Sequence, residues 1–226
     1  VLPMPKLSRS VSKFIVIAVT CLVTPFAVGQ STGFASHFSN LDATFSGIAN
    51  FTKGSSGNNP GTGNKITQSA SGASGGLLTI RYTRSRWFGL EGNYKFTRVT
   101  EHYQNVPFTQ FQPPADFAAQ TNVHELTFGY VAHLPSFMNF KPFVSAGVGT
   151  TVFKPTYKGG QSLPTQARMT YYAGAGVDDP IFSDHIGLRF QVRALDYKAP
   201  DFGTTYLITN ARTISFEPAL GIYFRF

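Results

Sequence analysis

Cysteine is almost missing from this chain. There is one, Cys21, and it lies in a stretch expected to be removed. The folded part therefore has neither a disulfide framework nor thiolate chemistry. Thr20 stands where a lipid-attachment site would need Gly or Ala, which argues against a lipoprotein. Acids are scarce as well: 11 Asp+Glu face 19 Lys+Arg. No run of eighteen apolar residues follows residue 29, which excludes a transmembrane helix there. Neither a basic run nor a nucleic-acid motif accompanies the positive balance, so nucleic acid is not an expected partner and an anionic membrane surface is.

What is present begins with an export signal. Lys6, Arg9 and Lys13 form a positive head, residues 14–28 are mostly apolar, and Ala27-Val28-Gly29 offers small residues before Gln30. Residues 1–29 therefore read as a signal peptide, residues 30–41 as a polar periplasmic lead and residues 42–226 as a single folded domain. Removing 29 of the 226 residues leaves 197, and removing the three cations leaves 16 against 11 acids, a net charge of +5. The chain is rich in 22 Phe, 10 Tyr and 22 Gly. With few helix-forming runs, that composition points to an all-β chain.

Period-two alternation marks eight strands. They are expected at 42–52, 68–82, 87–97, 122–132, 141–153, 167–178, 185–195 and 213–226. The connections alternate in length. Residues 53–67, 98–121, 154–166 and 196–212 read as long loops, and 83–86, 133–140 and 179–184 as short turns. An even strand number returns the chain to its starting side, so the short turns share the side of the N-terminal lead and of Phe226. An assembled barrel puts that side in the periplasm and the long loops outside.

The two faces of each strand differ in bulk and charge. Gly89, Gly129, Gly147, Gly149, Gly174, Gly176, Gly187 and Gly221 fall with the polar set, whereas Gly47 and Gly92 do not. An eight-stranded barrel is just wide enough inside for side chains, so the small, polar face belongs in the lumen and the bulky apolar face meets lipid. Charge agrees: Arg81, Glu91, Lys95, Glu125, Arg189, Arg193, Glu217 and Arg225 are all assigned to the inner face. A cation at midplane on the lipid face would cost about 2–4 kcal/mol. Pro218 breaks the rule for a closed sheet and predicts a bulge or a missing ladder bond.

The last strand is the most regular. Ile214, Phe216, Pro218, Leu220, Ile222, Phe224 and Phe226 alternate with Ser215, Glu217, Ala219, Gly221, Tyr223 and Arg225. This resembles the closing strand of bacterial outer-membrane barrels, and the mature chain is similar to the eight-stranded group that includes the transmembrane part of outer-membrane protein A and the small adhesion barrels. The resemblance implies a closed, antiparallel, up-and-down transmembrane β-barrel. It also implies Phe224 and Phe226 as the signal read by the barrel-assembly machinery, a lumen filled by polar side chains, and function in the outer loops. No cofactor or metal is implied, and a monomer is expected.

Several groups admit two readings. The inner charges form either a set of satisfied pairs, with Glu217 and Arg189 as one pair, or a gated ion path. His37-Phe38-Ser39-Asn40 resembles the His-x-Ser-Asn element of lipid A deacylase barrels, with His37 as base and Ser39 as nucleophile; the alternative is a solvated lead. Asp178, Asp179, Asp184 and His185 suit either calcium or ordinary turn chemistry. Lys53, Lys65, Lys154, Lys158 and Lys198 contact lipopolysaccharide phosphates or simply face water. Phe108, Phe111, Tyr157 and Phe202 form an adhesive patch for an unknown extracellular ligand or pack the loops. The expected role is structural or adhesive and non-enzymatic, with a narrow small-solute pore and a lipid A-modifying enzyme as alternatives.

Overall fold

The computed structural model describes residues 40–106, 113, 115–183 and 185–226. The expected signal peptide, all but the end of the lead, His37, Ser39, Phe108, Phe111 and Asp184 lie outside these residues. Ten strands form: β1 (Leu41–Thr52), β2 (Ser55–Asn58), β3 (Lys65–Ala70), β4 (Ala73–Ser85), β5 (Phe88–Val106), β6 (Ala115–His133), β7 (Lys141–Pro155), β8 (Gln166–Ser183), β9 (Ile186–Lys198) and β10 (Arg212–Arg225). Among the described residues no helix is long and apolar enough to cross a membrane, and the one helical piece there is the 3-10 turn Thr205–Leu207.

Eight of the strands close on themselves in sequence order. Each pairs antiparallel with its neighbour, from β1–β4 through β9–β10, and β10 returns to β1 over Asp42↔Arg225 to Thr52↔Ser215. Closure leaves no sheet edge among them, so their ladder groups pair within the sheet where lipid offers no partner. The pairing of β1 with β10 is interrupted between Ile48↔Ala219 and Phe51↔Phe216. That gap lies beside Pro218, which has no N–H to give.

Alternation sorts the faces as bulk and charge require. Phe45, Phe128 and Leu220 are 58%, 62% and 58% exposed on the outside, while Thr44, Thr127 and Ala219 beside them are buried inside. Such a continuous apolar exterior is suited to a lipid surround. Phe224 and Phe226 belong to it, and Phe226 N–H donates to the Leu41 carbonyl at 3.0 Å.

Three expectations about connections need correction. Residues 53–67 are not one loop: they carry β2 and β3, and β3 pairs with the upper part of β5. The stretch 98–121 is mostly strand, because β5 runs to Val106 and β6 begins at Ala115. Residues 179–183 belong to β8. At 98–106 and 115–121 weakly patterned residues continue a strand, because once the neighbouring backbone is extended the ladder bonds are available to any side chain.

Candidate functional site

The barrel gathers its ionisable side chains into two layers inside. Arg81 faces Glu91 across β4–β5 and donates from Nε and Nη2 to Glu91 Oε2 at 3.1 and 2.7 Å. Arg189 uses its planar fork on Asp178, with Nε to Oδ1 at 2.6 Å and Nη2 to Oδ2 at 2.8 Å. Its third nitrogen, Nη1, reaches Asp42 at 3.0 Å and the Thr44 hydroxyl at 2.7 Å. Arg81 Nη1 stands 3.8 Å from Asp178 Oδ2, so this carboxylate ties the two guanidinium groups together. Phe143 lies under both, its ring centre 4.0 Å from Arg81 Cζ and 5.4 Å from Arg189 Cζ. Arg225 closes this layer at the rim: its side chain is 28% exposed and approaches Asp178 to 4.0 Å.

The second layer lies nearer the long connections. Lys95 Nζ is 2.7 Å from Glu125 Oε2 and also bonds Glu217. Arg193 bonds Glu125 and stands 3.9 Å from Glu217 Oε2. Tyr172 joins the layers. Its hydroxyl donates to Glu91 Oε1 at 2.9 Å, and Arg193 Cζ lies 5.1 Å from its ring centre. Two glycines make room for that ring. A Cβ on Gly129 would stand 2.1 Å from the Tyr172 hydroxyl, and one on Gly147 would stand 2.5 Å from Tyr172 Cε1.

Above the second layer the lumen holds an apolar cluster beside the buried Glu101, whose carboxylate accepts from Gln68 Nε2 at 2.8 Å. Ile66, Val99, Tyr103, Val123, Phe153 and Phe202 pack there with Leu207. Ile66 comes from β3, and Phe202 and Leu207 from the segment 199–211, so two connections fold inward. That segment is pinned by side chains. Gln166 donates to Asp201 Oδ1 at 2.6 Å and accepts the N–H groups of Asp201 and Phe202 at 2.9 and 3.0 Å. Arg168 Nη2 lies 2.6 Å from Asp201 Oδ2. Asn59 donates to the Thr205 carbonyl at 2.7 Å, and the Tyr103 hydroxyl to Pro200 O at 2.7 Å. Burial acts to raise the Asp201 carboxyl, but Gln166, the Gly203 N–H and Arg168 together hold it below its ordinary value.

All eight inner charges named from the sequence thus face the lumen. The pairing differs from the Glu217–Arg189 pair expected. Glu217 is level with Arg193, and Arg189 is level with Gly221, so Glu217 and Arg189 fall in different layers and each has other partners. Asp178 is not a turn residue but an inward position of β8. Asp42, Asp178 and Tyr172 were missed as members of the network. Asp178 continues the set Thr170, Tyr172, Gly174, Gly176, so the alternation carried its signal. Phe202 is enclosed and Tyr157 is 98% exposed, so those two share no patch. Lys53, Lys65, Lys154 and Lys158 are exposed, and Lys198 is half-buried with its Nζ on Asn210 Oδ1 at 2.9 Å. They are spread over three of the four long connections and their flanks.

The sequence matches the family described as "Outer membrane protein beta-barrel domain" over residues 16–217. The chain belongs to that family. It is a bacterial outer-membrane protein, and the exposed apolar exterior is its lipid face. Among solved structures the barrel is similar to OprG of Pseudomonas aeruginosa, at 14% identity and a TM-score of 0.57, covering 83% of this chain and 96% of that one. It is also similar to Neisserial surface protein A, NspA, at 14% identity and a TM-score of 0.50, covering 81% and 97%. Identities this low speak for the shared barrel alone. Among curated proteins no sequence matches the chain. Within this family's architecture, the ionic layers occupy the axis of the barrel, and the inward-folded connections stand over one end of it.

Proposed function

We propose that this outer-membrane barrel is non-enzymatic and closed, and that it acts through the surface of its long connections in a structural or surface-binding role. The observation that carries this reading is the filling of the axis. Arg81, Arg189 and Arg193 are fully enclosed among Asp42, Glu91, Glu125, Asp178 and Glu217. Taking such ions out of water is tolerable only when each is paired, and a paired, packed axis has no room for a hydrated ion. The ionisable groups of the two layers are engaged with one another, and Glu101 above them is bonded by Gln68.

Closure is tested in planar bilayers. The purified barrel should add no stepwise conductance to that of the bare membrane. A steady, reproducible unit conductance that changes in Glu217→Ala would favour a narrow solute pore instead. The long connections are assigned to the cell exterior because the short turns belong on the periplasmic side of assembled barrels.

A further inference from the structure

On the outside of the barrel, cross-strand register arranges residues in rows. Phe96, His124 and Val152 form one row on β5, β6 and β7, and Arg98, Asn122 and Lys154 form the next. The first row ends the apolar band on these strands, and the second begins the polar rim toward the long connections. His124 belongs to the band rather than the rim: it packs on the Phe96 ring at 5.1 Å between centres and bonds the Tyr94 hydroxyl at 2.9 Å.

Arg98 and Lys154 are two strand spacings apart, about 10 Å between backbones, so their long side chains can converge on one group between them. Asn122 stands in that gap. Among the described residues Arg98 donates through Nε alone, to Asn122 Oδ1 at 2.8 Å, which orients the guanidinium with its outer nitrogens toward a second acceptor. Among the described residues neither Arg98 nor Lys154 makes an ion pair. The contrast lies on the opposite wall, where Arg212 is neutralised by Asp196 at 2.9 Å and Lys198 is engaged by Asn210. An amide carries no charge, so Lys198 and Arg98 are alike in this; what sets β5–β7 apart is two cations in one register row without a carboxylate, directly above an apolar shelf.

We infer that the Arg98–Asn122–Lys154 row binds the phosphate of a phosphorylated outer-leaflet lipid, with the acyl chain lying down the wall over Phe96 and Val152. This rests on the reading that the long connections face the cell exterior. Charge complementarity selects the headgroup, since a guanidinium fork and an ammonium together match a phosphate. Continuity with the lipid face selects a lipid rather than a soluble anion, because the shelf below the cations has no other cover.

The test uses the full-length mature barrel in detergent micelles, with native mass spectrometry to count bound lipid. Diphosphorylated lipid A is the probe and its dephosphorylated form the reference. The wild type should prefer the phosphorylated form, and Arg98→Gln/Lys154→Gln should lower that binding on the order of thirtyfold, at the usual weight of two interfacial cations. Arg212→Gln/Lys198→Gln should leave it unchanged. Equal loss in both double variants, or no preference in the wild type, would overturn the site. Displacement by millimolar inorganic phosphate would show that the anion alone is recognised and would overturn the lipid assignment. Orientation is read separately by labelling Lys158→Cys on intact cells with an impermeant maleimide. Labelling without a phosphate preference refutes the site and keeps the orientation. A preference with labelling only after permeabilisation refutes the outer-leaflet assignment.

Discussion

Asp178 receives its task from register. One residue further along β8, its side chain would point to the lipid face; at its own position it accepts both bonds of the Arg189 fork and stands near Arg81 and Arg225. Removing one partner of an enclosed pair leaves the other uncompensated, which costs about 3–5 kcal/mol. Asp178→Ala and Glu217→Ala should therefore each lower the unfolding free energy by about 3–5 kcal/mol, read as a fall in the urea midpoint equal to that loss divided by the m-value. An unchanged midpoint in either variant would mean that water reaches the group. Gly147 makes the opposite point, since it acts by what it lacks. An added Cβ would lie 2.2 Å from the Phe128 carbonyl oxygen as well as against Tyr172. Overpacking of this kind costs typically about 1–3 kcal/mol, so Gly147→Ala should destabilise the barrel although Ala is the smallest possible change. Refolding yield into micelles and the urea midpoint both report it.

The segment between β9 and β10 is an element held by a few bonds and a few buried side chains. Phe202 and Gly203 adopt positive φ, 49° and 67°, as the chain turns inward at Asp201. The Asp201 carboxylate accepts from Gln166, Arg168 and the Gly203 N–H. Because its folded value lies below the ordinary one, its contribution is present above pH ~4 and is lost as acid protonates the carboxylate. Protection of the Phe202 and Gly203 amides, taken relative to their intrinsic exchange rate at each pH, should therefore fall below that pH in the wild type. Asp201→Asn should show the lower protection already at neutral pH and lose the acid dependence. A pH-independent wild-type protection would mean that apolar packing of Phe202 and Leu207 holds the segment alone. The β5–β6 pair is a contrasting element, whose ladder continues to Val106↔Ala115 beyond the apolar band and needs no such clasp.

For the whole molecule, the decisive property is which end faces the medium. Trypsin added to intact cells should cut after the exposed Lys158 and Lys65 and leave the barrel embedded. Cleavage confined to Arg84 and Arg86 at the short-turn end would invert the orientation and remove the basis for a role at the outer surface. Closure and orientation are independent, since the conductance test reads the axis whichever end is outside.

Alternation in the sequence was sufficient for the number of strands that close the barrel, their antiparallel order, the lipid face and the side on which each inner charge lies, though not for the added strands β2 and β3. A strand's period of two is local: it needs no knowledge of the neighbouring strand, and the glycine bias settles which face is inside an eight-stranded barrel. Three things were decided only by tertiary structure. Partners depend on shear and register between strands distant in sequence, which is why Glu217 meets Lys95 rather than Arg189. Strand ends depend on whether a neighbouring backbone is present to pair with, which is why 98–106 and 115–121 are strand despite weak patterning. The apolar cover depends on chain ends brought together by closure: Ile66, Phe202 and Leu207 come from connections that carry no periodicity, and only the shared mouth of the barrel lets them bury one another.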